Sequence, residues 1–286
     1  MNEEYLPTSS IGKVRRIDYI AQNYYRSEGE TPGKGHPYIG AWLKAGFMKT
    51  IRGDVNFSSF LNHTNLSKEL TESYGVYLQV VKVLEKGGLD GGRPLVFFDM
   101  CSGKGYLSCL LSFMFPEATI YQVDYNKHIK LDHLKSLKNV TFHRLDIFNS
   151  GMKDWIKERT QGKVGFVLGI HLCGELSPRL ISFFDEIEDV RALLLCPCCI
   201  SKKNTVMLQT ARDLSINNYD LWTMELYYTI KSDCSKRIGK DQYIDSEKNH
   251  FIGATKLKQT DTTTRTPGSP SLESAIKNKY CKYLQN

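Results

Sequence analysis

Seven short β-rich runs recur between residues 95 and 256, and the first six are separated by stretches of helical spacing. The runs are Leu95 to Asp99, Thr119 to Asp124, Val140 to Leu145, Val164 to His171, Arg191 to Cys196, Leu221 to Ile230 and His250 to Lys256. Helices are predicted between them at Tyr106 to Phe115, Ile129 to Leu137, Met152 to Glu158, Pro178 to Phe184 and Asn204 to Asn217. Strands alternating with helices of this length bring successive strands side by side in the same direction, through right-handed crossovers. The last two runs are joined by a polar stretch, residues 231–249, with no helical period, which predicts an antiparallel pair at one edge. The pattern therefore predicts an α/β fold, a seven-stranded mostly parallel sheet with an antiparallel edge hairpin.

Ahead of the sheet, Leu70, Tyr74, Tyr77, Leu78, Val81 and Leu84 recur at helical spacing from Leu66 onward, and Gly87-Gly88 can close that helix. Residues 1–65 hold Tyr19, Tyr24, Tyr25, Tyr38 and Trp42 among turn formers and read as a partly irregular N-terminal extension. Gly33-Lys34-Gly35 lacks the glycine spacing and the strand-to-helix context of a phosphate loop. Residues 259–271 are rich in Thr, Ser, Pro and Gly and read as a flexible linker, with a short helix from Ser271 to about Leu284. The organisation is then an extension over 1–65, a main domain over 66–258 and a tail over 259–286.

Composition narrows the class. Of 286 residues, 41% are hydrophobic and 24% charged, which suits a globular core and excludes a wholly disordered or fibrous chain. No apolar run approaches the ~20 residues of a membrane span, and the N-terminus lacks a signal-peptide layout, so a soluble cytoplasmic protein is expected and no membrane partner. The eight cysteines are then read as thiols. Net charge is +7, and residues 201–286 hold fourteen Lys and Arg against nine Asp and Glu, or +5. Such an excess suits either a polyanionic partner or a solvated basic surface.

The chemistry begins at the first strand. Leu95-Val-Phe-Phe-Asp99-Met-Cys101-Ser-Gly103-Lys-Gly105-Tyr106 joins an apolar strand to a helix through a small-residue loop, where a ligand can come close to the backbone. Asp99 can face a cationic group there. The D-x-C-x-G-x-G spacing differs from the pyrophosphate-binding G-x-G-x-x-G, which disfavours a dinucleotide. Asp124 ends the second strand, where a carboxylate can accept hydrogen bonds from ribose hydroxyls. Asp146 ends the third, where it can meet an adenine amino group while Ile147 or Phe148 packs on the ring. Singly each acid could be a cap or a turn residue. Three acids at three successive strand ends beside this loop argue for a nucleoside crevice.

These residues resemble the motif series of the class I S-adenosylmethionine-dependent methyltransferases over roughly residues 66–258, which implies a Rossmann-like fold with S-adenosylmethionine as cofactor. Within that superfamily, Asp99 to Leu107, Gly169-Ile-His-Leu-Cys-Gly174 and Leu195-Cys-Pro-Cys-Cys199 look most like a branch containing the methyltransferase-like domain of the glutathione S-transferase C-terminal-domain-containing protein. Related motifs occur in the tRNA acceptor-stem ribose 2'-O-methyltransferase. The resemblance implies cofactor contacts at Gly103, Gly105, Asp124 and Asp146, with Asp99 and Cys101 in the same loop; Cys101 stands where the superfamily usually has its first glycine.

The ends of the fourth and fifth strands carry a second constellation, His171-Leu-Cys173-Gly174 and Cys196-Pro197-Cys198-Cys199. Three readings compete. Small thiols can pack beneath the cofactor. Cys196 and Cys199 can form a C-x-x-C pair completed by His171 or Cys173, although adjacent Cys198 and Cys199 should not easily aim at one ion, and no bound metal is expected. His171 can orient the acceptor or act as base, with a thiol of Cys173, Cys198 or Cys199 as nucleophile. The candidate catalytic set is His171, Cys173, Cys198 and Cys199. The resulting expectation is a methyltransferase acting on RNA, with a tRNA among the candidates; the competing readings are a non-catalytic cofactor-binding module or an enzyme acting on a protein or a small molecule.

Overall fold

In a computed structural model, residues 15–86, 89, 92–201 and 204–256 are described. The seven strands are β1 (Leu95–Met100), β2 (Thr119–Asp124), β3 (Val140–Arg144), β4 (Val164–Leu172), β5 (Val190–Pro197), β6 (Ser235–Lys240) and β7 (His250–Thr255), in the order β3-β2-β1-β4-β5-β7-β6. β1 to β5 are parallel, and β7 lies antiparallel between β5 and β6. This is the predicted Rossmann-like sheet with its antiparallel edge. The order reverses between β1 and β4, so the carboxyl ends of these strands flank the crevice that such sheets use for ligands. All six residues of β1 are buried, as a central strand covered on both faces requires.

Helix α5 (Leu66–Glu85) runs in front of β1 as its periodicity predicts, burying Leu66, Leu70, Tyr77, Val80 and Leu84. α6 (Tyr106–Met114), α7 (Met152–Thr160), α8 (Leu176–Glu186) and α9 (Thr205–Asp213) occupy four of the predicted crossovers. Gly87-Gly88, Lys202-Lys203 and the tail over 259–286 lie outside the described residues.

Four expectations are corrected. The predicted helix Ile129 to Leu137 is only a short 3-10 turn, Asp132–Ser136. Leu221 to Ile230 is no strand but most of α10 (Asn218–Thr229), which Asn217 caps by accepting from the Tyr219 amide at 2.8 Å. Its β-forming Trp, Thr and Tyr residues suggest a strand, yet the buried set Tyr219, Trp222, Thr223 and Leu226 follows the helical 3-4 spacing, and packing decides. The outer member of the hairpin is instead β6, whose Lys236, Arg237 and Lys240 suit an exposed sheet edge.

The fourth correction concerns residues 1–65. From Arg16 they form α1 (Arg16–Glu30), α2 (Pro37–Lys44), α3 (Phe47–Gly53), a 3-10 turn and α4 (Ser58–Leu61). Ile17, Trp42, Phe47, Phe57 and Phe60 share one hydrophobic core with α5, α6 and β1. The Trp42 indole donates to the Leu70 carbonyl at 2.9 Å, and Phe47 stacks on Phe113 with ring centres 4.6 Å apart. From Arg16 to Leu61 the segment is largely helical and integral to the fold. No helix among the described residues is long and apolar enough to cross a membrane.

Candidate active site

The loop after β1 turns through three consecutive departures from ordinary backbone, with positive φ at Cys101, Gly103 and Gly105. The two glycines do different work. A Cβ on Gly103 would meet nothing within 4 Å, whereas one on Gly105 would lie 2.3 Å from the Gln122 side chain. Gln122 is fully buried and donates to the Gly103 carbonyl at 3.1 Å, so it braces the loop from β2. Gly105, a predicted cofactor contact, therefore answers a backbone and packing need, while Gly103 borders open space.

Asp124 is held where the sequence puts it. One carboxylate oxygen accepts from the Gly103 amide at 2.9 Å and the other from the Asn126 amide at 2.7 Å. A carboxylate has about four acceptor positions, so two remain for a ribose diol. Asp146 is exposed and accepts from the Phe148 amide at 2.9 Å. Ile147 is 3% exposed and belongs to the core, which leaves Phe148, 51% exposed, as the ring that can lie on adenine. Tyr125, immediately beyond Asp124, is 73% exposed and offers a second such ring; its position next to a strand-end acid was the available signal.

Asp99 departs from its expected role. It is 2% exposed, and its carboxylate accepts from the Ser108 hydroxyl at 2.6 Å and from the Ser108 amide at 3.2 Å, which ties β1 to α6. Burial drives its pKa up to about 7 against the opposing bonds from Ser108, with Asp124 and Glu69 adding repulsion. It faces its own helix and not a ligand cation. Cys101 is mostly buried and pushed up to about 12 by desolvation, then by Asp124, Asp99, Asp146 and Cys173, which places that thiol between the acids and the β4 end.

A cleft of about 490 Å³ opens on this loop, lined by Glu69, Gly103, Lys104, Asp124, His128 and Lys130 among others. The N-terminal helices supply its wall: Lys104 donates to the Ser59 carbonyl at 3.0 Å and the Tyr106 hydroxyl to the Phe60 carbonyl at 2.7 Å. S-adenosylmethionine fits this donor set. Within the cleft Asp124 would offer acceptors to its ribose, Glu69 and Lys104 opposite charges to its zwitterionic end, and Gly103 the space; Asp146 and Phe148, the residues expected at the adenine, are not among the cleft's lining residues.

Beyond β1 the second constellation gathers in part. His171, at positive φ, points its Nε2 at Glu72 of α5, a 2% exposed carboxylate that also pairs with Lys68 at 3.2 Å. The His171 Nδ1 is buried without a partner among the described residues. Glu72 was missed at the sequence level, although an acid among the apolar positions of α5 is itself a signal. No hydrogen bond joins the imidazole to a thiol, so the expected base and nucleophile pair is not assembled. Cys198 is pushed up to about 12 by burial and by Cys173 and Cys199, which disfavours a thiolate at neutral pH. Cys199 is lowered by its hydrogen bond with Cys173. Cys196 is buried and donates to the Lys248 carbonyl at 3.2 Å, apart from the other three thiols.

Residues 70–205 match the model of a family described as a methyltransferase domain. No curated protein matches the sequence. Among solved structures, the plantazolicin methyltransferase BpumL in complex with SAH is 12% identical with a TM-score of 0.40, over 82% of this chain and 98% of that one. The methyltransferase domain of bacterial CtHen1-C is 14% identical with a TM-score of 0.41, over 65% and 98%. An O-methyltransferase family protein from Burkholderia thailandensis is 13% identical with a TM-score of 0.35, over 90% and 76%. Likenesses this distant say nothing about the acceptor. Residues 70–205, which carry this loop and the acids at the ends of β2 and β3, match a methyltransferase domain, and that match supports methyl transfer from S-adenosylmethionine.

Proposed function

We propose that the acceptor is RNA and that it lies over the ends of β4 and β5, with a hydroxyl oxygen as the methylated atom. The His171–Glu72 pair carries this reading. The bound donor supplies an electrophilic methyl group by in-line displacement from a sulfonium. An amine or ring nitrogen can attack with a free lone pair, whereas a hydroxyl must also shed a proton. His171, at the end of β4, can take that proton while Glu72 stabilises the imidazolium.

Charge supports a polyanion. His128 and Lys130, in the segment after β2, line the cleft, and Tyr125 of the same segment is exposed. Cations and aromatic faces suit RNA backbone and unstacked bases. The residues expected from the 201–286 excess contribute less: Lys236 donates to the Ile230 carbonyl at 2.8 Å at the end of α10, and Arg237 lines a groove between α5 and the hairpin.

Incubation with methyl-labelled S-adenosylmethionine and total RNA, or total protein, tests the acceptor. Label should enter RNA ribose, and His171→Ala should lower turnover roughly 10²-fold or more with unchanged affinity for S-adenosylhomocysteine. RNA retention on filters should fall steeply with salt. Label in protein alone, or no retention at low salt, overturns the RNA assignment.

A further inference from the structure

Three thiols from two loops converge beside the proposed acceptor position. Cys173 follows β4, while Cys198 and Cys199 follow β5. The Cys199 Sγ lies 3.4 Å from that of Cys173 and 3.7 Å from that of Cys198, and all three sulfurs lie within 4.8 Å of one another. Sulfurs around a tetrahedral zinc ion, at bonds of about 2.3 Å, stand about 3.8 Å apart. The cluster already has that spacing. Adjacent Cys198 and Cys199, expected to diverge, share one focus because the chain leaves β5 at Pro197 and is free of the strand's alternation.

The arrangement is held by backbone and not by the thiols themselves. The Gly174 amide donates to the Cys199 carbonyl at 2.8 Å, and the Cys198 amide donates to the Leu172 carbonyl at 3.3 Å. Gly174 takes a positive φ to make the turn. Cys173 and Cys199 are exposed and Cys198 is half-buried, so the focus is reached from solvent. No fourth His, Cys, Asp or Glu joins the three among the described residues. A disulfide would use two of the thiols and leave the third without purpose.

We propose that Cys173, Cys198 and Cys199 bind one zinc ion through three thiolates, leaving a fourth coordination position open to solvent on the acceptor side. Thiolates select a soft or borderline cation over calcium or magnesium, and three protein ligands with one open position is the arrangement of zinc sites that take water or a substrate atom. Binding releases the thiol protons to solvent and cross-links the loops that follow β4 and β5. The site stands whether or not the acceptor is RNA.

Untagged full-length protein, reduced with a phosphine and stripped of metal, would be titrated with cobalt(II) and then with zinc(II). One equivalent of cobalt should give thiolate charge-transfer absorption in the near ultraviolet, which one equivalent of zinc displaces. Cys173→Ser and Cys199→Ser, at exposed positions, should each weaken zinc binding by about tenfold or more. Cys234→Ser should leave it unchanged. Absence of the band at one equivalent in folded, reduced protein would overturn the site. So would a band that survives replacement of all three cysteines, or one abolished by Cys196→Ala but not by Cys173→Ser. A Cys173–Cys199 disulfide found by mass spectrometry in the metal-treated protein would overturn it too.

Discussion

The ends of β1 to β3 and the ends of β4 and β5 share one edge of one sheet, yet they are built oppositely. On the first side the acids stand apart and are each positioned by backbone amides a few residues away or in the next loop, as Asp124 is by Gly103 and Asn126. Two adjacent strands and their loops suffice to place Asp124, whose longer bond spans 21 positions. On the second side the pairing partners are distant in the chain: Glu72 meets His171 across 99 positions, and Cys199 meets Cys173 across 26. That side exists only once the sheet has closed. Donor binding should therefore tolerate damage to the second side, whereas transfer should not tolerate damage to either.

The two loop glycines give the largest contrast within the first side. Gly105→Val places a branched side chain at positive φ and onto buried Gln122, so strain and overpacking of about 1 to 3 kcal/mol each should unfold much of the protein. Gly103→Val takes the same positive-φ strain but meets no wall, so it should lose less stability than Gly105→Val and keep enough fold to show that binding of S-adenosylhomocysteine is lost. Thermal melting and calorimetry on both variants separate the outcomes. Equal loss of fold in both would mean that Gly103 also serves only the backbone.

Asp99 sets a dry acid against the wetter acids beyond it. Its folded pKa, about 7, stands above the ~3.9 of an unfolded aspartate, so between those values the unfolded chain loses the proton that the folded one keeps. Stability is then highest below about pH 4 and declines by ~1.4 kcal/mol per pH unit until about pH 7, above which the loss is complete. Asp99→Asn carries no such proton. Urea denaturation from pH 4 to 8 should show the variant gaining on the wild type by a few kcal/mol across that window. Parallel curves would show that Asp99 is ionised in the fold.

Asp124 tests the first side directly. Asp124→Ala should weaken S-adenosylhomocysteine binding about 10- to 100-fold, the worth of hydrogen bonds to a charged acceptor. Asp124→Asn keeps an acceptor for the Gly103 amide and should lose less. Wild-type affinity in a folded Asp124→Ala protein would remove the ribose assignment.

What was legible in the sequence follows the same division. The strands, the acids at their ends and the loop of Cys101, Gly103 and Gly105 are signals of composition over a few residues, and β1, β2 and α5 lie within a residue or so of where spacing puts them. The misses depend on distant partners. α10 reads as a strand until Trp222 and Leu226 are seen buried in the core, and β6 is too polar to read as a strand until β7 pairs with it. The N-terminal aromatics look irregular because their partners, Leu70 and Phe113, lie on later helices. That only Gly103 borders the cleft, with Gly105 against Gln122, could not be seen without β2 in place.

Glu72 offers the finest test of the second side, because it can touch the acceptor's chemistry only through His171. A glutamine keeps the shape and an oxygen able to accept from the imidazole, but it cannot offset an imidazolium with charge, so the loss should appear as the proton moves and not as ligands bind. Glu72→Gln should then lower kcat about tenfold, the difference between a neutral and a charge-assisted hydrogen bond, with KM and S-adenosylhomocysteine affinity unchanged. Lys68, half-buried, shares that carboxylate at 3.2 Å and is present in both variants. Glu72→Ala should cost more, because the imidazole then loses its anchor as well as its counter-charge. Were kcat and cofactor affinity to fall together in Glu72→Gln with the fold intact, the pair would be bracing β4 against α5 and the proton-taking role of His171 would fail with it.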